Sequence, residues 1–445
     1  MKKNYLLGMA LIASLSFYSC DKEVVYVQDG NGVESVADGA QIITLQVENG
    51  GDGLATRAGR PLYSAEAKQT IENVKLWICD NTGKVVYIKE ISDWNTDGST
   101  VYTTGGHGRQ TTIELKGADK LAAGTYKIYA VGYSNSSAYT LTDVTNVAKE
   151  STFNENMVLP CSTVGEEIFA GQMELTVEKG KGFKKPVVLN RQVAGAFAYV
   201  KDIPFMEGAK YLKLVASAQN QSLVLGNFNS FDLTGNGSGN ANVKYVVNGT
   251  NGKSGSETYV ISTIDLNKWF TAIKDDNGDN LIDAGENWKN PCRPSSSPAA
   301  GTYPTFQKGS AFGGEFVIPF AHVDGKQTLT LQLTNAGGKV LRSWKVNLGS
   351  TDEQLKQTIT CWNSRSTDWS TSLSGELANT YSLVRNHLYG IGTRMNDEAN
   401  PEKPGVDPDP NPENPNDKPE SLNNKQELVL KVNDNWEVIH GMELD

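Results

Sequence analysis

The sequence predicts an all-β fold divided into sandwich domains, on three observations. Thr, Val, Ser, Asn and Gly are abundant, while long amphipathic helical periods are scarce. Short runs of alternating apolar and polar residues recur with turn chemistry between them, the pattern of strands half-buried in a sandwich. A chain of 445 residues, with 44 Gly against 16 Pro, has the length for two to three domains that each bury a core.

The N-terminus carries the first sharp signal. Lys2 and Lys3 precede an apolar run over residues 5–17, followed by Tyr18, Ser19 and Cys20. Basic residues, a short apolar core and a small residue before the expected cut make residues 1–20 a secretory signal. The run is shorter than the roughly 20 apolar residues that a stable span needs. A Cys at the cut itself predicts a lipoprotein signal, in which the Cys20 thiol takes up palmitate-type acyl chains and becomes the new N-terminus. Each buried methylene then adds about 0.8 kcal/mol of membrane affinity. An ordinary signal peptide with an incidental Cys is the alternative. No later run approaches spanning length, so the mature chain is expected on a membrane and not in it. The formal net charge of -10, without any basic stripe, argues against a nucleic-acid partner.

Residues 21–57 read as a propeptide containing one strand. Residues 21–40 are polar; then Ile43, Leu45 and Val47 alternate with Thr44, Gln46 and Glu48, the period of a half-buried strand over 41–48. Residues 49–60 are glycine-rich and expected to be exposed, with Arg57 and Arg60 as their basic residues. An N-terminal domain is expected over 58–186, with strands at 74–78, 84–91, 111–115 and 124–133. A second β domain is expected over 187–395, opening with a strand at 187–194 and including 316–319 and the cleanly alternating 327–334. The polar stretch 235–256 within it has no assigned role.

Residues 396–425 change character. Repeated Asp-Pro and Asn-Pro steps cannot form a core and predict an extended spacer. At about 3.1 Å per residue it reaches several tens of Å. Beyond it, residues 426–445 return to a strand pattern, with Leu428, Leu430 and Val432 on one face and Trp436 and Val438 after a polar break. A lone strand on a tether cannot stabilise itself, so it must dock on its own subunit or on another one. Removing the first strand at the basic loop would leave a sheet with unpaired backbone groups and an apolar groove, a template for strand addition. Burying about five apolar side chains there gives on the order of 10 kcal/mol before ordering costs. Such head-to-tail contacts do not close and generate filaments.

These residues together resemble a known family, the fimbrillins of Bacteroidales-type fimbriae (FimA-like and minor-fimbrium shaft subunits, the type V pilins). The likeness lies in the signal ending at Cys20, in Thr56-Arg57-Ala58-Gly59, in Ile168-Phe169-Ala170-Gly171 and in Val188-Leu189-Asn190-Arg191-Gln192-Val193-Ala194. It continues through Val384-Arg385-Asn386-His387-Leu388-Tyr389, the Asp/Pro/Asn spacer and the closing Trp436-Glu437-Val438-Ile439. The resemblance implies two tandem transthyretin-like β-sandwich domains. It implies cleavage after Arg57 by a trypsin-like protease, removal of the strand bearing Ile43, Leu45 and Val47, and polymerisation by strand exchange. The donor would be the C-terminal strand with Leu428, Leu430, Val432, Trp436 and Val438. The implied partners are further copies of the chain and the anchor and tip fimbrial subunits. The implied location is the outer membrane and the extracellular fimbrium after export through the periplasm, with adhesion as the supported activity. Arg60 is a second cut site, hindered by the following Pro61. The donor tail argues for a shaft subunit.

One further constellation stands apart. Residues 275–286 resemble a 12-residue calcium loop, with oxygen ligands from Asp275, Asn277, Asp279, Asp283 and Glu286 and the Leu281 carbonyl. Asn280 stands where such loops place Gly, and an acidic turn without metal is the plain alternative; any calcium would be structural. No other cofactor is expected. Gly252-Lys253-Ser254 lacks the first glycine and the helix of a phosphate loop. His107, His322, His387 and His440 are scattered without a motif, and no nucleophile or acid pair is singled out. Cys79, Cys161, Cys292 and Cys361 form no C-x-x-C pair, and their bridging is open. The alternative function is a monomeric surface lipoprotein that binds glycans through aromatics such as Trp269, Trp288, Trp362 or Trp369.

Overall fold

The computed structural model describes residues 26–28, 34–36, 39–48, 71–102, 108–161, 166–225, 245–250, 252–282, 285, 287–291, 306–320, 328–349, 358–363, 368–373, 383–385, 388–394, 417–423 and 427–433. The fold is all-β, as the strand pattern predicts. Sixteen strands define its frame. The first eight are β1 (Gln41–Glu48), β2 (Asn73–Asp80), β3 (Val85–Ile91), β4 (Thr100–Tyr102), β5 (Gly108–Leu115), β6 (Gly124–Tyr133), β7 (Phe169–Val177) and β8 (Phe183–Arg191). The second eight are β9 (Ala194–Lys201), β10 (Ala209–Gln219), β11 (Lys253–Asp265), β12 (Ala311–Val317), β13 (Leu329–Asn335), β14 (Val340–Gly349), β15 (Leu388–Ile391) and β16 (Glu427–Asn433). Further short strands lie off this frame.

The first sheet runs β3-β2-β6-β7-β8-β1-β5-β4. It doubles back between β7 and β8, where only Phe169↔Arg191 and Ala170↔Asn190 are matched. The two halves therefore face each other as a sandwich. Ile43, Leu45 and Val47 from β1 share one buried cluster with Leu76 and Ile78 from β2 and with Ile128 and Ala130 from β6. Gly171 sits at the fold-over, where a Cβ would collide with the backbone of Val188. No larger residue fits so close an approach of two chains.

The second sheet runs β11-β10-β13-β14-β16-β15-β9-β12. The first sandwich's topology repeats here in the same chain order. β9, β10, β11, β12, β13, β14 and β15 take the places of β1, β2, β3, β5, β6, β7 and β8. Pairing directions repeat as well: β8 lies parallel to β1 as β15 lies parallel to β9, and β5 is antiparallel to β1 as β12 is to β9. Two strands break the match. Among the described residues β4 has no counterpart in the second sheet, and the place of β16 beside β15 is held in the first only by the three-residue strand Glu34–Val36, which meets β8 antiparallel at Lys184↔Glu34.

The expected domain boundary at 186/187 falls inside β8, which pairs with β1 along Phe183–Leu189 and completes the first sandwich. An apolar run that reads as the opening of the second domain is thus the closing strand of the first, and the chain crosses over at Gln192 and Val193. Gln192 is buried there. Its side chain donates to the Asn190 carbonyl at 2.9 Å and accepts from Arg385 Nη1 at 2.9 Å, and its carbonyl accepts from Asn248 Nδ2 at 3.1 Å. Beside it Arg191 donates to Glu167 Oε1 through Nε at 2.8 Å and Nη2 at 2.6 Å, both side chains fully buried. Loss of either partner would strand a buried charge. The outer face of the first sandwich (Trp77, Tyr129, Val131) joins the same buried cluster as the second sandwich.

Candidate functional site

The residues that sequence reasoning singles out for assembly fall on two interior strands. β1 has every second side chain buried: Ile43, Leu45 and Val47 are each 0% exposed, against the half-buried Ile42, Thr44 and Gln46. It pairs parallel with β8 from Gln41 to Val47 and antiparallel with β5 from Gln41 to Glu48. Gln41 fixes its register, a role that strand periodicity does not reveal. Its Nε2 donates to the Leu121 carbonyl at 2.9 Å and its Oε1 accepts from the Leu121 N–H at 2.7 Å, which places a side-chain amide where a backbone partner would sit.

β16 repeats this environment in the second sandwich. It pairs parallel with β14 and antiparallel with β15, and Leu428 and Leu430 are buried while Val429 is 43% exposed. Val432 lies opposite Tyr389 in the β15 ladder. The tail therefore docks on its own subunit, one of the two options its sequence leaves open. Cys20, Arg57, Trp436 and Val438 lie outside the described residues.

Of the expected spacer 396–425, residues 417–423 are described, and they pair and dock. Asp417–Lys418 pairs with Thr393–Arg394, Glu420–Ser421 pairs in parallel with Val200 and Lys201 of β9, and Leu422 is fully buried. The Leu422 N–H donates to the Lys201 carbonyl at 2.9 Å. Gly392 accepts this crossing: it sits at φ +78°, and a Cβ there would strike the Tyr199 carbonyl and crowd Glu420 N at 3.1 Å. One leucine after a polar Pro-rich run is the only sequence signal for this anchor.

The acidic loop begins as its pattern predicts. Asp265 caps the one-turn helix Leu266–Trp269 that precedes this loop. Asp275 then accepts from the N–H groups of Gly278, Asp279 and Asn280 at 2.7, 3.2 and 2.9 Å, and Asn280 takes φ +64° in the usual glycine position. Asp279 Oδ1 accepts from the Leu281 N–H at 2.8 Å, and Leu281 bridges to Pro204. Asp283 and Glu286 lie outside the described residues, and among the described residues no group of three or more metal-ligating side chains gathers. Of the glycan aromatics, Trp362 and Trp369 stand opposite each other in an antiparallel strand pair, while Trp269 and Trp288 have other partners. Trp269 is buried edge-on against Phe306 at 4.9 Å, and half-buried Trp288 gives its Nε1–H to the Ser310 carbonyl at 2.7 Å. Trp362 is half-buried, and nothing is described of the Trp369 side chain. Cys79 is a buried free thiol whose pKa burial, above all, pushes up to about 12, which disfavours the thiolate.

Known proteins place this architecture in context. No family model matches the chain. No curated protein matches it either. Among solved structures it is similar to a fimbrial assembly protein from Parabacteroides distasonis, at 11% identity and a TM-score of 0.33, covering 80% of this chain and 91% of that one. It is also similar to the fimbrial anchor protein Mfa2 from Porphyromonas gingivalis, at 9% identity and a TM-score of 0.32, covering 77% of this chain and 99% of that one. Likenesses at this level leave the functional reading to the strands themselves.

Proposed function

We propose that this chain is a structural shaft subunit of a cell-surface fimbrium that supports adhesion and carries no enzymatic activity. It is exported as a lipoprotein acylated at Cys20, cut after Arg57 by a trypsin-like protease, and polymerised head to tail by strand exchange. Its partners are further copies of itself together with anchor and tip subunits.

One observation carries this reading: β16 is a seven-residue interior strand of the second sandwich, where the first has only the three-residue strand Glu34–Val36 beside β8. Withdrawing it leaves the seven strands that repeat the first sandwich's order, so the tail is a guest where β1 is a component. β1 and β16 also match as occupants of a slot. They have eight and seven residues, alternate their apolar side chains, and meet one parallel and one antiparallel neighbour. Loss of β1 would expose apolar surface that Ile43, Leu45 and Val47 now cover, at roughly 1.5–3 kcal/mol per side chain. A tail from a second copy brings the same ladder geometry and apolar period to that slot, and a head-to-tail contact of this kind propagates.

Limited trypsin treatment of the full chain tests the proposal. N-terminal sequencing should read from Ala58, and SDS gels without boiling should then show ladders. A clipped chain that stays monomeric would favour the glycan-binding alternative, although the buried Trp269 has already left its aromatic set. Calcium is a separate proposal for the 275–286 loop, with Asp275, Asn277 and Asp279 as side-chain ligands, Leu281 through its carbonyl, and Asp283 and Glu286 completing the set. Calorimetry at millimolar calcium should give heat from the wild type and less from Asp279→Ala; no heat from the wild type ends that idea.

A further inference from the structure

The strand order makes the β4–β5 hairpin depend on β1. β5 has β1 and β4 as its sheet neighbours, and β4 pairs with β5. When β1 leaves, among the described residues no ladder joins this hairpin to the rest of the sandwich. Ile113 and Leu115 still reach the buried cluster, but both sit at one end of β5. At the other end stands Arg109, opposite Val47 of β1 and 7% exposed.

Arg109 points its hydrogen bonds away from β1. Its Nε donates to the Trp94 carbonyl at 3.0 Å and the Ser99 hydroxyl at 2.7 Å. Its Nη2 donates to the Thr96 carbonyl at 3.0 Å and the Ser99 carbonyl at 2.8 Å. The receiving loop is itself tied to the opposite half of the sandwich. The Trp94 N–H donates to the Glu72 carbonyl at 2.8 Å, just before β2, and the Trp94 ring is fully buried in the shared cluster. Gly98 closes the loop where a Cβ would run into the Ser92 carbonyl. An unbroken path of hydrogen bonds thus runs from β5 to the start of β2 without passing through β1.

We propose that Arg109 is the clamp that holds the β4–β5 hairpin in place while β1 is absent, keeping a strand-wide slot open between β8 and β5 for the tail of a second copy. This deepens the fimbrial reading and rests on it. Apolar contacts to β1 vanish with β1, whereas charge-assisted bonds to fixed backbone carbonyls persist. Without the clamp, the free edge of β5 would be released into solvent or would close onto β8, and the incoming strand would have one edge to pair with where it needs two.

Hydrogen exchange on the full chain tests the clamp without any protease. Leu45→Asp puts a carboxylate into the core and expels β1. With Arg109 present, residues 108–115 in Leu45→Asp should keep slowed exchange; adding Arg109→Met should bring them to within about tenfold of an unstructured chain. Arg109→Met alone, with β1 seated, should change them by less than about tenfold. The proposal is overturned if the double variant protects 108–115 as well as Leu45→Asp does. It is overturned equally if Arg109→Met alone already frees them, or if Leu45→Asp with Arg109 intact loses protection across 73–80, 108–115 and 124–133 together. Failure of the fimbrial reading shows elsewhere, as a trypsin-cut wild type that forms no ladders while the exchange pattern stands.

Discussion

β1 and β16 are near twins in their surroundings and opposites in their standing. Each lies inside a sheet with one parallel and one antiparallel neighbour, and each buries alternate side chains. Yet β1 fills a position that β9 also fills in the second sandwich, while β16 fills a position that the first sandwich gives only to the three residues Glu34–Val36. The difference teaches that burial and pairing do not reveal whether a strand is part of a domain or lodged in it. Comparison with an internal repeat does. A strand that the repeat holds at full length should be costly to lose, and one that it holds only as a stub should be cheap.

The sharpest break in this comparison is truncation. A chain ending at Asn423 should stay folded as a monomer with a cooperative thermal transition, yet build no fibres visible by electron microscopy after cleavage. Fibres of normal length from that chain would remove β16 from assembly. Next in size, Leu45→Ala should cost the uncut chain about 2–5 kcal/mol in denaturant unfolding. Leu430→Ala should cost less, because the loss is capped by the free energy of undocking β16, and its effect should show first as faster amide exchange in 427–433. Equal losses would make β16 as integral as β1. Gln41→Ala leaves both backbone groups of Leu121 without their side-chain partner and should lower stability by about 1–2 kcal/mol, with β1 fraying from its start.

The smallest effect serves as a control distant from both strands. The Tyr129 hydroxyl, and after it Lys127, hold the Glu155 carboxyl below the usual range, against the opposing pull of burial. A depressed folded pKa stabilises above the unfolded value of about 4.3 and loses that contribution as pH falls through the folded value. Glu155→Gln should therefore flatten the acid side of the thermal stability profile and leave assembly unchanged.

Much of the fold is legible in the sequence because period-two burial is local. The strands 41–48 and 124–133 read from alternation and turns match β1 and β6 residue for residue. What alternation does not carry is the partner. The run Val187–Val188–Leu189 shows a buried strand but not that its neighbour is β1, some 140 residues earlier in sequence, so composition places the boundary at 186/187 while the strand runs on to Arg191. Arg109 and Gln41 are illegible for a related reason. A lone Arg or Gln in a polar-patterned strand looks solvent-facing until the loop or turn that receives its hydrogen bonds is in place. The acidic loop is legible to its sixth residue, since Asx turns and a left-handed Asn are encoded next to one another.

The docking of Leu422 and Glu420 against β9 sets the reach of the tail. While that anchor holds, residues 423–426 give β16 a leash of about 12 Å, too short to leave the face of its own subunit. Peeled back to residue 395, the same segment extends to roughly 100 Å, enough to span a neighbouring molecule. On the proposed strand exchange, the tail would have to open at one leucine before it could close on the next subunit.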